Sequence, residues 1–259
     1  MLIVLGKGRR AGTCEASRLE PKDSTAVTAT RLGEFRLPTD PSLPWLLPRS
    51  AEQARLISGL HRQACRLADY GYQAKTGPLV WNRHKPRLAA AHRPGCVPLI
   101  WAESVSSPGR FQFRARRRNH TPYYQVGANE DWLLIKQPCV LLQRTTAKEQ
   151  SRRLIAAELS ADFVSTHGAV TAENHLNMVV PVTGVPEIAP STLVAVLNSR
   201  VVDQVSRCMN GSVAVSAYEL ESLPLPGHAQ MMRVQRMLQD GAAREHIERE
   251  LERSYVDAG

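Results

Sequence analysis

The hydrophobic pattern divides the chain into short strand-like runs, one long helical stretch and a helical end. The apolar run at 1–6 predicts a buried strand, followed by a turn at Lys7-Gly8-Arg9-Arg10 and a second strand near Cys14–Leu19. A further strand is expected from Thr25 to Leu32. Pro38, Pro41, Pro44 and Pro48 then break the pattern, because proline withholds a backbone donor and restricts its predecessor. That stretch reads as an irregular linker or boundary. Beyond it, Leu56, Ile57, Leu60, Ala64, Leu67 and Ala68 recur at helical spacing, which predicts a helix over 51–70 capped by Ser50 and ended by Gly71.

A loop is expected over Lys75–Lys85, then strands at 97–103, 111–115, 132–135 and 139–144, with Pro138 separating the last two. Extended segments follow near 153–159 and 176–182. After Pro190, with Ser191 or Thr192 as cap, Leu193–Leu197 and Val201, Val202 and Val205 predict a helix interrupted at Asn198-Ser199. A strand near 212–216 leads to Leu223-Pro224-Leu225-Pro226, and residues 228–255 read as helical with a break at Gly241. Met231, Val234, Met237, Leu238, Ile247 and Leu251 form its apolar face, suited to docking on a domain or another chain. The expected class is α+β, a mixed, curved β-sheet with helices packed on it and a C-terminal helical tail.

Charge changes this picture more than composition does. The chain carries +9 overall, but residues 51–153 hold eighteen Lys/Arg against six Asp/Glu, whereas residues 154–259 hold seven against thirteen. A central block this basic implies an anionic partner, for which nucleic acid is the usual candidate, or a solvated surface without ligand. Two segments concentrate the donors. Lys75-Thr76-Gly77-Pro78-Leu79-Val80-Trp81-Asn82-Arg83-His84-Lys85 sets cations and amides around a turn. Here Lys75, Arg83 and Lys85 are candidates for phosphate, and Asn82 or His84 for bases. In a plainer role, Trp81 and Asn82 pin the loop to the core. Arg144-Thr145-Thr146-Ala147-Lys148-Glu149-Gln150-Ser151-Arg152-Arg153 reads as a backbone clamp, with Arg144, Lys148, Arg152 and Arg153 as cations and Thr145 and Thr146 as neutral donors, or as a solvated turn. Arg114, Arg116, Arg117 and Arg118 either enter a groove or lie idle in a turn.

Other chemistries find little support. No apolar run reaches the roughly 18–20 residues that a membrane-crossing helix needs, and Met1–Leu5 is too short for a secretory signal core. The cytoplasm is therefore the expected compartment, and no membrane partner is expected. The five cysteines form no CxxC pair, which argues against zinc-finger and thioredoxin-like sites and for buried free thiols. Asp162, His167 and His175 are not at metal-ligand spacing, so no metal is expected. Glu130, Asp131 and Lys136 are poorly spaced for a nuclease, and neither a Gly-x-Ser-x-Gly elbow nor a phosphate loop occurs.

Several motifs in order do carry a resemblance. Thr76-Gly77-Pro78-Leu79-Val80-Trp81-Asn82-Arg83, Arg144-Thr145-Thr146-x-x-Glu149-Gln150, Glu173-Asn174-His175-Leu176-Asn177, Leu197-Asn198-Ser199 and Val215-Ser216-x-x-Glu219-Leu220-x-x-Leu223-Pro224-Leu225-Pro226 are arranged as in the target-recognition region of type II, gamma-class, N6-adenine-specific DNA methyltransferases. The closing segment also resembles the specificity subunits of type I restriction systems. The resemblance covers roughly 35–240 and implies double-stranded DNA as partner. It also implies three parts: 1–34 as strands from the end of a methyltransferase catalytic domain, 35–226 as the DNA target-recognition domain, and 227–259 as a helical tail.

One departure from the family matters. The family's Asn/Asp-Pro-Pro-Tyr/Phe tetrapeptide is absent, since Thr121-Pro122-Tyr123-Tyr124 lacks its first residue and its second proline, and no Gly-rich cofactor loop appears. S-adenosylmethionine is thus expected in a missing or partner catalytic domain, with no catalytic or cofactor-binding residue in this chain. The alternative is a free-standing DNA-binding specificity subunit that recruits a separate methyltransferase or nuclease.

Overall fold

A two-stranded antiparallel ribbon, β1 (Thr13–Pro21) and β2 (Val27–Arg36), meets the rest of the molecule only at its base. Phe35 is buried there, and Gly33 approaches α1 (Ala51–Gly59) so closely that a Cβ on it would lie 2.9 Å from that of Ala54. The computed structural model describes residues 12–22, 26–40, 42–60, 65–106, 109–146, 150–209, 212 and 214–256. The strand expected at 1–6 therefore lies outside the described residues, and the one expected from Thr25 is β2. The described part of the proline-rich stretch 37–48 holds neither helix nor strand.

The helix expected over 51–70 is shorter. Ser50 caps it as expected, its side chain accepting from the Gln53 amide, but α1 ends at Gly59. Leu67–Tyr70 forms a separate 3-10 turn, closed by Gly71 in the left-handed region at φ 73°. Between them the Cys65 carbonyl accepts the Leu225 amide at 2.8 Å. A continuous helix would have used that acceptor itself, so tertiary pairing overrides helical propensity here.

Two sheets follow. The central one is built from β3 (Tyr72–Thr76), β9 (Cys139–Gln143), β10 (Ala156–Leu159) and β12 (Leu176–Pro181), in the order β10-β9-β12-β3 and antiparallel throughout. A smaller mixed sheet has the order β11-β5-β8-β4, from β4 (Leu88–Ala89), β5 (Cys96–Ile100), β8 (Tyr123–Gln125) and β11 (Thr171–Ala172). In it β11 runs parallel to β5 and the other pairs are antiparallel. A short hairpin, β6 (Val105–Ser106) with β7 (Arg110–Phe111), stands beside them, and α2 (Ala161–His167) follows β10.

The central sheet is covered on both faces, which is why β9 and β12 read as unbroken apolar runs rather than alternating ones. Val140, Leu142, Ala156 and Val179 face a helical layer, while Cys139, Leu141, Ala157 and Met178 face the opposite side. A third cluster, Leu79, Val97, Leu99, Trp101, Tyr124 and Leu133, fills the smaller sheet. The strand expected at 132–135 is instead a 3-10 turn at Asp131–Leu133, with Leu133 buried and Trp132 66% exposed. Only Ile135 pairs, as an isolated bridge to Val170.

The helical layer comprises α3 (Pro190–Leu197), α4 (Arg200–Met209), α5 (Ala217–Ser222), α6 (His228–Gln239) and α7 (Arg244–Val256). Ala189 stands at the N-cap of α3, not Ser191 or Thr192, with Pro190 in the first turn where its missing N–H costs nothing. The predicted interruption at Asn198-Ser199 has a use. Asn198 Oδ1 accepts the Ala156 amide at 3.0 Å and its Nδ2 donates to the Ala156 carbonyl at 2.8 Å, tying the helices to edge strand β10. Where a strand was expected at 212–216, only Ala214 bridges, to Thr145, and Ser216 opens α5 in a capping box with Glu219. Leu223 and Leu225 are buried, and the Tyr255 hydroxyl donates to the Pro224 carbonyl at 2.8 Å. Gly241, at φ 70°, separates α6 from α7, and Met231, Val234, Ile247 and Leu251 join the same core as the central sheet. The class is α+β. Among the described residues no helix is long and apolar enough to cross a membrane.

Candidate nucleic-acid interface

Strand register brings the two donor-rich segments to one end of the central sheet. Thr76 at the end of β3 pairs with Asn177, Leu176 at the start of β12 pairs with Gln143 at the end of β9, and Leu142 pairs with Ala156 at the start of β10. The segment after Thr76 and the segment between Gln143 and Ala156 therefore leave from the same edge, with Glu173-Asn174-His175 between them. The three are laced together. Gly77 N donates to Leu176 O, Leu79 N to Ala172 O, Asn174 N to Leu79 O, and Arg144 N to His175 O, all at 2.8–3.1 Å. The Val215 amide closes the far side on the Arg144 carbonyl, and Asn177, fully buried, donates from Nδ2 to the Val215 carbonyl.

Glycine at 77 follows from that packing, since a Cβ there would stand 2.3 Å from the Glu173 carbonyl oxygen. Lys75 and Thr76 prove to belong to β3 rather than to the loop, and Lys75 is exposed on this edge strand. Beyond Leu79 the chain makes two 3-10 turns, Trp81–Arg83 and Lys85–Arg87. Trp81 is half-buried, edge-on to Trp101 at 6.2 Å, with the Lys85 ammonium 5.2 Å above its ring. Asn82 and Arg83 are exposed, and their side chains make no hydrogen bond or ion pair among the described residues.

His84 has a different situation. Its Nδ1 lies 3.0 Å from the hydroxyl of buried Tyr124, which donates to Glu130 at 2.8 Å. The Arg87 guanidinium reaches the same carboxylate at 2.6 Å, and the Gly127 amide donates to it at 2.8 Å. Burial would raise the Glu130 carboxyl, but the Gly127 amide, the Tyr124 hydroxyl and Arg87 together hold it below the usual range. This network braces the loop from beneath. Glu130 is thus engaged with Tyr124 and Arg87, whereas Lys136 pairs with Asp131 at 2.5 Å.

The Arg144–Arg153 segment is less open than its composition suggests. Arg144 is half-buried, with Nη1 on the Asn174 carbonyl at 3.3 Å, and Thr146 is buried while Thr145 is exposed. Lys148 lies outside the described residues. Arg152 reaches Glu248 of α7 at 3.7 Å, and the Arg153 amide donates to Asp203. The Nη1 atoms of both arginines are buried without a hydrogen-bond partner among the described residues. Burial, with Arg207 nearby, lowers the Arg153 pKa.

The arginine-rich turn stands across a ring stack from the 81–83 turn. Trp101 stacks on His120 at 3.9 Å, and His120 Nδ1 lies 2.6 Å from Glu103, which also accepts the Arg116 and Arg117 amides. The Arg116, Arg117 and Arg118 side chains are exposed, whereas Arg114 is half-buried and bonds to Gln112.

One group escaped the sequence reading, in which Glu173-Asn174-His175 served only as one motif of the family resemblance. Glu173 is buried, its carboxylate holding the His175 ring, which is largely exposed. Nothing in a Glu-Asn-His triplet distinguishes a buried carboxylate from a solvated one.

No family model matches the chain. It is 27% identical over 168 residues to the type II methyltransferase M.BsuBI of Bacillus subtilis, and 28% identical over 169 residues to the type II methyltransferase M.PstI of Providencia stuartii. Each alignment takes in 64% of this chain and 33% of the relative, so the chain spans about a third of the length of the curated relatives it matches. Over that stretch the chain is related in sequence to type II methyltransferases.

Proposed function

We propose that the chain is the DNA target-recognition region of a type II, gamma-class, N6-adenine-specific methyltransferase of a restriction–modification system, and that it does not transfer a methyl group by itself. The loop end of the central sheet grips duplex DNA. Lys75, Arg83 and Lys85, with exposed arginines of the 116–118 turn, neutralise phosphates, and Asn82 is free to meet a base edge. The single observation that carries this reading is the convergence of the Lys75–Lys85 and Arg144–Arg153 segments on one edge, with the Asn82 and Arg83 side chains left without partners among the described residues. Arg152 and Arg153 are too engaged with the helical layer to serve as freely as the sequence suggests, and act as supports of the clamp. The relatives' names supply the class of chemistry.

Two hollows among the described residues are poor matches for S-adenosylmethionine. A groove of about 480 Å³ beside β3 presents Lys75 and Lys136, which repel the cofactor's sulfonium. A cleft of about 370 Å³ beside α1 and α4 offers Glu52 and Glu252, but with Arg55 and Arg200 among its walls and no aromatic face for an adenine. In this reading, cofactor and methyl transfer are supplied by a catalytic domain or subunit outside these residues.

The test is selection from randomised duplexes at two salt concentrations, with and without S-adenosylmethionine. Enrichment of one sequence, with affinity falling steeply with salt, is the expected result. Arg83→Ala should weaken binding to all sequences and reduce the logarithmic salt slope by about 0.9, the value for one neutralised phosphate. Methylated product from the purified chain alone would overturn the division of labour.

A further inference from the structure

Glu173 and His175 form an arrangement that the phosphate-gripping role does not use. The Glu173 side chain is 1% exposed, yet its only ring partner, His175, is 62% exposed. Its two carboxylate oxygens lie 2.9 and 2.8 Å from His175 Nδ1, and one of them also accepts the His175 amide at 2.8 Å. The backbone beneath is held on both sides, because Glu173 N donates to Ile100 O, Asn174 N to Leu79 O, and the His175 carbonyl accepts from Arg144. A carboxylate only accepts, so Nδ1 carries the hydrogen of this bond and Nε2 is the ring's remaining polar atom. Backbone and Nδ1 are both held, and the ring is largely exposed on a segment laced between the two donor-rich ones.

A fixed exposed imidazole gains little from burial, and burying a carboxylate beneath it is costly unless the geometry is used. Phosphate contacts tolerate mobile lysines and arginines. Reading a base edge needs a side chain whose direction is set before DNA arrives. We propose that His175 is a specificity-determining residue that contacts one base edge of the duplex through Nε2, with Glu173 as the positioning residue that sets its ring. This rests on the recognition role proposed above.

The experiment uses the full chain on a pool of duplexes of randomised sequence, comparing the unaltered protein with His175→Ala and Glu173→Gln. His175→Ala should keep the selected sequence at every position but one and lose about tenfold or more of its preference there, the scale of a single base contact. Its salt slope should not change, because no phosphate contact is lost. Glu173→Gln should weaken preference at that same position. Should this buried variant unfold, His175→Ala on the surface still decides the matter. An unchanged preference at all positions in His175→Ala overturns the proposal. So does a uniform loss with a slope smaller by about 0.9, which would make His175 a phosphate contact. If the unaltered chain enriches no duplex, the recognition role itself fails, a result separable from the other two.

Discussion

At the scale of single residues, what matters at this site is how closely the backbone of one segment approaches another. Gly77 shows it best, because its neighbour across the gap is not a movable side chain but the Glu173 carbonyl, 2.3 Å from where a Cβ would stand. Gly77→Ala must push two hydrogen-bonded segments apart, which is an overpacking cost on the order of 1–3 kcal/mol. Urea unfolding should show that loss as a lower midpoint, and duplex affinity should fall with it, since the same shift moves the 81–83 turn. A stable Gly77→Ala with unchanged binding would contradict the interlacing. Cys139 and Cys208 behave as inert fillers at this scale. Burial pushes the Cys139 and Cys208 thiols up to about 12, far from the reactive range.

Single elements depend on carboxylates that hold backbone amides. Glu130 braces the 81–87 turns through Tyr124, Arg87 and the Gly127 amide, and Glu103 braces the arginine-rich turn through the Arg116 and Arg117 amides and His120. For both, burial acts to raise the carboxyl pKa, and the hydrogen bonds and nearby charge win and hold it low. A lowered folded-state pKa gives stability that is fully present above the ordinary carboxylate value of about 4.3 and is lost as pH falls through the folded value. Both carboxylates should therefore hold their amides at neutrality and release them below about 4. Hydrogen exchange at the Gly127, Arg116 and Arg117 amides reads this directly. Glu130→Gln should remove the acid step at Gly127 while leaving that at Arg116 and Arg117. Equal loss at all three amides would mean global unfolding instead.

At the scale of the whole molecule, one element is supported at its base and open beyond it. The β1–β2 ribbon carries Leu19 at 51% and Val27 at 63% exposure, next to Ala29 and Pro21, which pair with them across the strands. Isolated two-stranded hairpins are marginal in water, and open strand edges invite pairing with another chain. The chain alone should therefore self-associate with rising concentration. Replacing Leu19 and Val27 with lysine should abolish that association, as followed by light scattering, without altering the unfolding midpoint. A monomer at high concentration would count against it.

Some of this architecture was written locally. Apolar runs marked β9 and β12, Asn198-Ser199 marked the break between α3 and α4, and Gly71 and Gly241 marked chain reversals, because each depends on the conformational limits of neighbouring residues. The Ser216-x-x-Glu219 cap of α5 was equally legible and went unread. Other features had no local signal. The expected helix does not run on through Cys65, whose carbonyl accepts from Leu225, distant in sequence, and Trp132 turns outward where alternation suggested a strand. Most of the site belongs to this second kind. Composition identified which segments are rich in donors, but strand register put them at one edge, packing drew Arg152 and Arg153 inward, and burial made Glu173 the anchor of His175. Sequence alone determined where the backbone can turn and which residues avoid water, since those are properties of each residue and its neighbours. Which donors remain exposed and aligned was decided only in the tertiary structure, because register and burial arise between residues far apart along the chain.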